Sequence, residues 1–216
     1  MSDFVDLVLP QRGWPWPSDS WGLTPQFGED GWCRSCGTRR HAQSGPLILQ
    51  RKGLESVQGA WGPYWRYDEI CMDQSLADEV SARFSLDIRP VEWPRTPVGA
   101  ASQIVVPTVG DAWFDHDELR AKAIEAHGTA GATCAECGVW RWMPLAFMDP
   151  EFENSPLALP PLRITPALGE VDIAASPVWF GDGMKSFRQV LVRRELAEML
   201  VAASPRGRRV REVPWG

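Results

Sequence analysis

Nowhere does this chain reach the roughly 18 uninterrupted apolar residues of a membrane-spanning helix, so no span is expected. Its first residues, MSDFVDLVLPQRGW, lack the basic opening, long apolar run and small-residue cleavage site of a signal peptide, and a cytoplasmic protein is expected. Histidine is scarce. The three present, His41, His116 and His127, stand beside no recognisable nucleophile, so a base–nucleophile pair is not expected among them. Lysine is equally scarce, three against nineteen arginines, an imbalance that genomic base composition produces without any phosphate reading. Disulfide chemistry is disfavoured as well: four of the five cysteines fall in two Cys-x-x-Cys pairs, which suits a reducing compartment better than a cross-linked scaffold.

What is present is enough for a compact fold. At 216 residues the chain can bury about 70% of the surface exposed when unfolded, and it needs no metal merely to be large enough. Nineteen glycines and nineteen prolines predict many irregular connections, while 44% apolar residues and twelve tryptophans exclude a low-complexity chain. The net charge of −6 is unevenly placed: seven arginines face three acids over residues 188–216, so the remainder is strongly acidic. An acidic body disfavours nucleic acid, whose binding rests on neutralised phosphates.

Residues 1–32, rich in Trp and Pro, read as an extended lead-in with turns. PLILQRK (46–52) reads as a strand and AWGPYWRYDEI as an aromatic loop. In DQSLADEVSARFSL, Leu76, Val80 and Phe84 recur at four-residue steps and predict an amphipathic helix. PVEWPRTPVG is barred from a helix by its prolines, and QIVVPTV is β-prone. FDHDELRAKAIEAHG reads as a helix started by Asp115, with Glu118 completing a capping box and Gly128 at the C-terminal cap. GVWRWMPLAF is β-prone, and a Pro-rich crossing (154–169) leads to a strand in FRQVLV. RRELAEMLVAAS then predicts a helix with Leu196, Met199, Leu200 and Ala203 on one face, and RRVREV a last strand. The fold class is α+β: mixed, loop-rich, with short strands and about three helices, in a single domain over 1–216. Its parts are the lead-in 1–32, a cysteine-bounded region 33–138 and a C-terminal strand–helix–strand region 139–216.

The two Cys-x-x-Cys-Gly stretches, CRSCG from Cys33 and CAECG from Cys134, have the form of zinc knuckles. The spacing aims both sulfurs at one ion, and the glycine permits the positive φ the turn requires. Each knuckle supplies two of four tetrahedral ligands. Joined, Cys33, Cys36, Cys134 and Cys137 make a closed structural site for Zn²⁺ with no open position. Closing the 97-residue gap costs only about 1.7 kcal/mol more than closing a 15-residue loop, against roughly 10–16 kcal/mol of apparent zinc binding. Iron in a rubredoxin-like site uses the same knuckles and stays open. A thioredoxin-like redox pair is opposed by GTRRHAQSGP after Cys36, a poor helix opener. Cys71, alone in DEICMDQ, reads as a buried inert thiol. Trp is enriched in binding hot spots, so Trp14, Trp16 and Trp21, with Trp61, Tyr64 and Trp65, are candidates for a partner-binding face. Arg206, Arg208, Arg209 and Arg211 suit either nucleic acid or an edge strand that resists aggregation.

With its two CXXCG knuckles widely spaced and its closing FRQVLVRRELAEMLVAASPRGRRVREV, the chain resembles the bacterial double-CXXCG motif proteins. These are a paralogous set in myxobacteria that includes immunity proteins of swarming-inhibition toxins. The resemblance implies a non-enzymatic cytoplasmic protein that neutralises a cognate toxin encoded nearby, with no membrane role. A zinc-ribbon nucleic-acid-associated protein and an electron-transfer or metalloenzyme subunit are the other classes considered.

Overall fold

The computed structural model describes residues 3–52, 54, 56–147, 157–163, 168, 171–203 and 209–216. In chain order the elements are β1 (Phe4–Val8), β2 (Trp14–Pro15), a 3-10 turn (Ser18–Ser20), α1 (Leu23–Phe27), β3 (Leu47–Gln50), β4 (Ala60–Trp61), β5 (Ile70–Asp73) and α2 (Gln74–Arg83). There follow β6 (Ile88–Glu92), β7 (Ala101–Ile104), α3 (His116–His127), β8 (Gly131–Thr133), β9 (Trp140–Trp142) and β10 (Ile173–Ala175). The chain ends with β11 (Trp179–Asp182), β12 (Lys185–Phe187), β13 (Val190–Arg193), α4 (Arg194–Ala202) and β14 (Arg209–Arg211). Among the described residues this is a mixed α+β fold with the three expected helices and one extra turn of helix, α1.

Three sheets carry the strands. The first, in order β10-β13-β1-β14, is antiparallel; the second, β12-β11-β9-β8, contains one parallel pair, β9 with β11. The third has six strands, β2-β3-β6-β7-β5-β4, with β3 and β6 parallel. Helices α2 and α4 close over one core, where Leu76, Val80 and Phe84 of the predicted stripe meet Leu196, Ala197 and Leu200. Ala203, expected on that α4 face, is the exposed C-cap residue because the helix ends at Ala202, and Ala197 is buried beside Leu196 and Leu200. A second core gathers Trp113, Phe114, Leu119, Phe147 and Phe180.

Local chemistry explains the helix ends. Asp73 caps α2, accepting from Leu76 N at 2.9 Å and from Gly59 N at 2.6 Å. Asp115 caps α3 through Asp117 N and Glu118 N, which hold its carboxyl below the usual aspartate range. The capping box is incomplete: the Glu118 carboxylate accepts from Arg163 at 2.8 Å instead of turning back to Asp115. Gly128 ends α3 at φ 74°, as its position predicts.

Two regions differ from the sequence reading. The stretch taken as a lead-in contains β1, an inner strand of the first sheet. Phe4, Val5 and Asp6 are all buried, so β1 shows no in–out alternation, and the charge of Asp6 is met by an ion pair with Arg211. The aromatic loop likewise contains β4 and the start of β5. The C-terminal strand β14, Arg209–Arg211, is, as expected, an edge strand. Arg206, Arg208 and half of the Pro-rich crossing lie outside the described residues.

Candidate metal centre

The same local structure is built twice. Trp32 and Arg39 bridge in antiparallel register around the first knuckle, and Thr133 pairs with Trp140, in the β8–β9 hairpin, around the second. Both pairs flank their cysteines at equivalent offsets. Cys33 N donates to Thr38 O and Cys134 N to Val139 O, each at 2.9 Å. Gly37 N donates to Cys33 O at 2.7 Å and Gly138 N to Cys134 O at 2.9 Å. Each glycine has positive φ, 74° and 73°. In both knuckles the amides inside the turn and just past it point at sulfur. Ser35 and Cys36 donate to Cys33, Glu136 and Cys137 to Cys134, Thr38 to Cys36, and Val139 to Cys137.

The two hairpin tips meet. The Sγ atoms of Cys33, Cys36, Cys134 and Cys137 all lie within 4.8 Å of one another, with Cys33–Cys134 at 3.7 Å and Cys36–Cys137 at 3.6 Å. A tetrahedron with metal–sulfur bonds of about 2.3 Å has edges of about 3.8 Å. The donor set and its spacing therefore fit a single tetrahedral ion, and these four cysteines can hold a metal. Three of the four are buried. Sequence spacing predicted this foursome; the contacts between the two tips are new. Glu136, inside the second knuckle, accepts from Ser35 of the first at 2.6 Å and from Arg40 at 3.3 Å. The β11–β12 turn braces the first knuckle from behind: a Cβ on Gly37 would overlap Met184 O, and Ser186 Oγ donates to Cys36 O at 2.5 Å. Arg141 of β9 reaches Gly183 O at 2.5 Å, joining the second hairpin to that brace.

The thiols are not equivalent. Burial pushes Cys33 up to about 12, and burial also raises Cys36. Burial acts the same way on Cys137, yet the Val139 amide, the Thr38 hydroxyl and the neighbouring thiols bring it down to about 6. Cys134 is lowered, chiefly by the Cys137 amide. The hydrogen bonds that lower these two are of the kind that stabilise a thiolate ligand.

The other residues singled out fall elsewhere. Cys71 is fully buried in β5 between Trp61 of β4 and Gln103 of β7, and burial holds its thiol well above the usual range. His127 bonds Pro144 O at 2.8 Å, His116 packs near the Trp142 ring and His41 is exposed. The two aromatic stretches come together: Tyr64 N donates to Gly13 O, Gly62 N to Pro10 O, and the Trp14 and Tyr64 rings stack at 4.7 Å. Trp16 is 41% exposed, and Trp14, Trp21, Tyr64 and Trp65 are half-buried. Trp61 is the correction in this group. It is wholly buried against Leu47, Leu49 and Cys71, so it has no surface to present.

One cluster escaped the sequence reading entirely. Behind the first knuckle Arg39 forms a two-pronged ion pair with Asp68, and Arg66 pairs with Glu69. Arg66 also donates to Gln26 Oε1 at 2.7 Å and Trp21 O at 2.9 Å, and the Arg188 amide donates to Asp68 at 3.2 Å. The Arg39 and Arg188 guanidiniums lie over the Trp179 ring, at 5.3 and 4.1 Å from its centre. Asp68 is held below the usual aspartate range because Arg39, Arg66 and Arg188 outweigh the cost of its burial. Apart from Arg66 and Glu69, three residues apart, the cluster carries no spacing signal, since Arg39 and Arg188 lie 29 and 120 residues from Asp68.

No family model, curated protein or solved structure matches the chain. Among the described residues no helix is long and apolar enough to cross a membrane.

Proposed function

We propose that this is a non-catalytic zinc protein in which Cys33, Cys36, Cys134 and Cys137 hold one structural ion, and that it works by binding another protein. The observation that carries the metal reading is the approach of four thiols, from two turns of identical hydrogen-bond pattern, to the edge length of a tetrahedral thiolate site. Four protein ligands close the coordination sphere, which suits stabilisation rather than turnover. Elemental analysis of protein purified without added metal is expected to give one zinc per chain. Cys134→Ser is expected to lower that content and the melting temperature, whereas Cys71→Ser leaves zinc content unchanged. Two zinc ions per chain, or full zinc retention in the Cys134 variant, defeats the shared site; stoichiometric iron turns the reading to a rubredoxin-like centre.

The partner reading rests on different support. The aromatic residues Trp14, Trp16, Trp21, Tyr64 and Trp65 come from two stretches about fifty positions apart that lie side by side, and none of the five is fully buried. The acidic balance outside residues 188–216 favours a basic partner and steers its approach. Together with the motif resemblance, these point to immunity-like neutralisation of a toxin encoded nearby, in the cytoplasm. Co-expression with flanking genes should recover a stoichiometric complex and suppress the partner's toxicity, and Trp16→Ala should weaken it. Salt-sensitive binding of nucleic acid by the isolated chain, with no such complex, would overturn this reading.

A further inference from the structure

A cavity of about 860 Å³ lies where the three sheets meet, separate from the four cysteines. The first sheet contributes Leu7, Val190 and Val192 with Leu9 just past β1, the third contributes Ile70 and the loop before it, and the second contributes the β11–β12 turn and Phe187. That volume is in the range of pockets that enclose a small molecule, and junctions between structural units are where such pockets form.

Its polar wall has a specific defect. The buried cluster described above holds three guanidiniums, Arg39, Arg66 and Arg188, against two carboxylates, Asp68 and Glu69. Three of these five residues, Arg66, Glu69 and Arg188, line the cavity. Arg66 Nε, Arg188 Nε and Glu69 Oε2 are shut off from solvent and have no hydrogen-bond partner, although the Arg66 and Glu69 side chains are 5% and 6% exposed. Buried polar groups are ordinarily paired, so the cluster behind this wall is incompletely matched. The full lining repeats the imbalance, with Arg66, Lys185, Arg188 and Arg211 against Asp6, Glu69 and Asp182 among the described residues. Arg211 is taken up by Asp6 and Arg66 by Glu69. Burial brings Arg188 down to about 10, the mark of a desolvated cation incompletely matched by acid. The two non-glycine residues with positive φ among those described, Trp21 at 53° and Trp65 at 64°, both line this cavity. Backbone held in that region costs free energy and collects at ligand sites.

We propose that this cavity binds a small amphiphilic monoanion, a carboxylate on a hydrocarbon or aryl body, with its charge set against Arg66 and Arg188. One negative charge balances the cluster, and the carboxylate sits beside Arg66 and Arg188, which line the cavity. The apolar body lies along Leu7, Leu9, Ile70 and Val192. A cation is repelled by the surplus guanidinium, and a neutral alcohol leaves that charge unmatched.

Isothermal titration of the intact, metal-loaded chain with decanoate, decanol and decyltrimethylammonium, all below micelle formation, tests this. Decanoate should saturate at one per chain, decanol should bind at least about tenfold more weakly, and the cation should not bind. Arg188→Gln should bring decanoate down to the level of decanol, while Arg188→Lys keeps part of the difference. Leu9→Trp, which fills the cavity, should abolish decanoate binding without changing metal content. If Arg188→Gln does not fold, the comparison of decanoate with decanol on the unaltered chain still decides. Equal affinity for the two, absence of saturable binding, or a folded Arg188→Gln chain that binds decanoate normally overturns the proposal. None of these results depends on zinc identity or on a protein partner.

Discussion

At the residue scale the knuckles separate two reasons for a glycine that a motif alone merges. Gly37 and Gly138 share the left-handed backbone of the turn, but only Gly37 is also pressed against another part of the chain, at Met184 O. Around Gly138 a Cβ would meet nothing within 4 Å. Gly138→Ala is therefore expected to cost about 1–2 kcal/mol, the ordinary penalty of positive φ. Gly37→Ala should cost clearly more, because the β11–β12 turn must shift as well. Chemical denaturation of the metal-loaded variants checks this, and equal losses would show that Met184 exerts no constraint. Cys71 is a second case where one residue type serves two ends. Four cysteines face one another, and the fifth fills the space between β4 and β7. Cys71→Ser should cost about 1–3 kcal/mol, because its hydroxyl is buried without an assured partner.

At the scale of elements, helix ends were legible and strand membership was not. Asp115 caps α3 where expected, and Asp73 caps α2 in the same way, because a cap is a local arrangement of one side chain with amides two or three residues on. Asp73 also ties α2 to the β4 approach through Gly59 N. Asp73→Ala should accordingly cost about 1–2 kcal/mol, with metal content unchanged; thermal melts alongside elemental analysis would reveal any wider role. By contrast β1 was hidden, since a strand buried on both faces loses its period-2 signature and an acid within it reads as a break. What keeps Asp6 buried is Arg211, 205 residues away. No local window contains that information.

At the scale of the molecule, the buried Arg39–Asp68 and Arg66–Glu69 pairs stand between α1, the first knuckle and the third sheet. Arg66→Met would leave Glu69 buried with only Arg39, at 3.6 Å, as its cationic partner. A loss toward the lower end of about 3–5 kcal/mol is expected, and Arg66→Met with Glu69→Leu should recover part of it. A double-mutant cycle by urea denaturation measures the coupling; additive losses would mean the pair is not a unit. The sequence by itself determined the mixed α+β class, the helices α2, α3 and α4 with the two caps of α3, and the four-cysteine foursome. Each of these depends on bonds within one turn or on chemistry that cysteine spacing encodes, and thiols that share an ion tolerate any intervening loop for a small entropic cost. Only the tertiary structure decided that the two aromatic stretches adjoin, that Trp61 is sealed inside, and that Arg39, Arg66 and Arg188 share two carboxylates beside a cavity. Those outcomes rest on pairings across tens to hundreds of residues, where ordinary arginines, acids and tryptophans acquire their role from which surfaces the sheets press together.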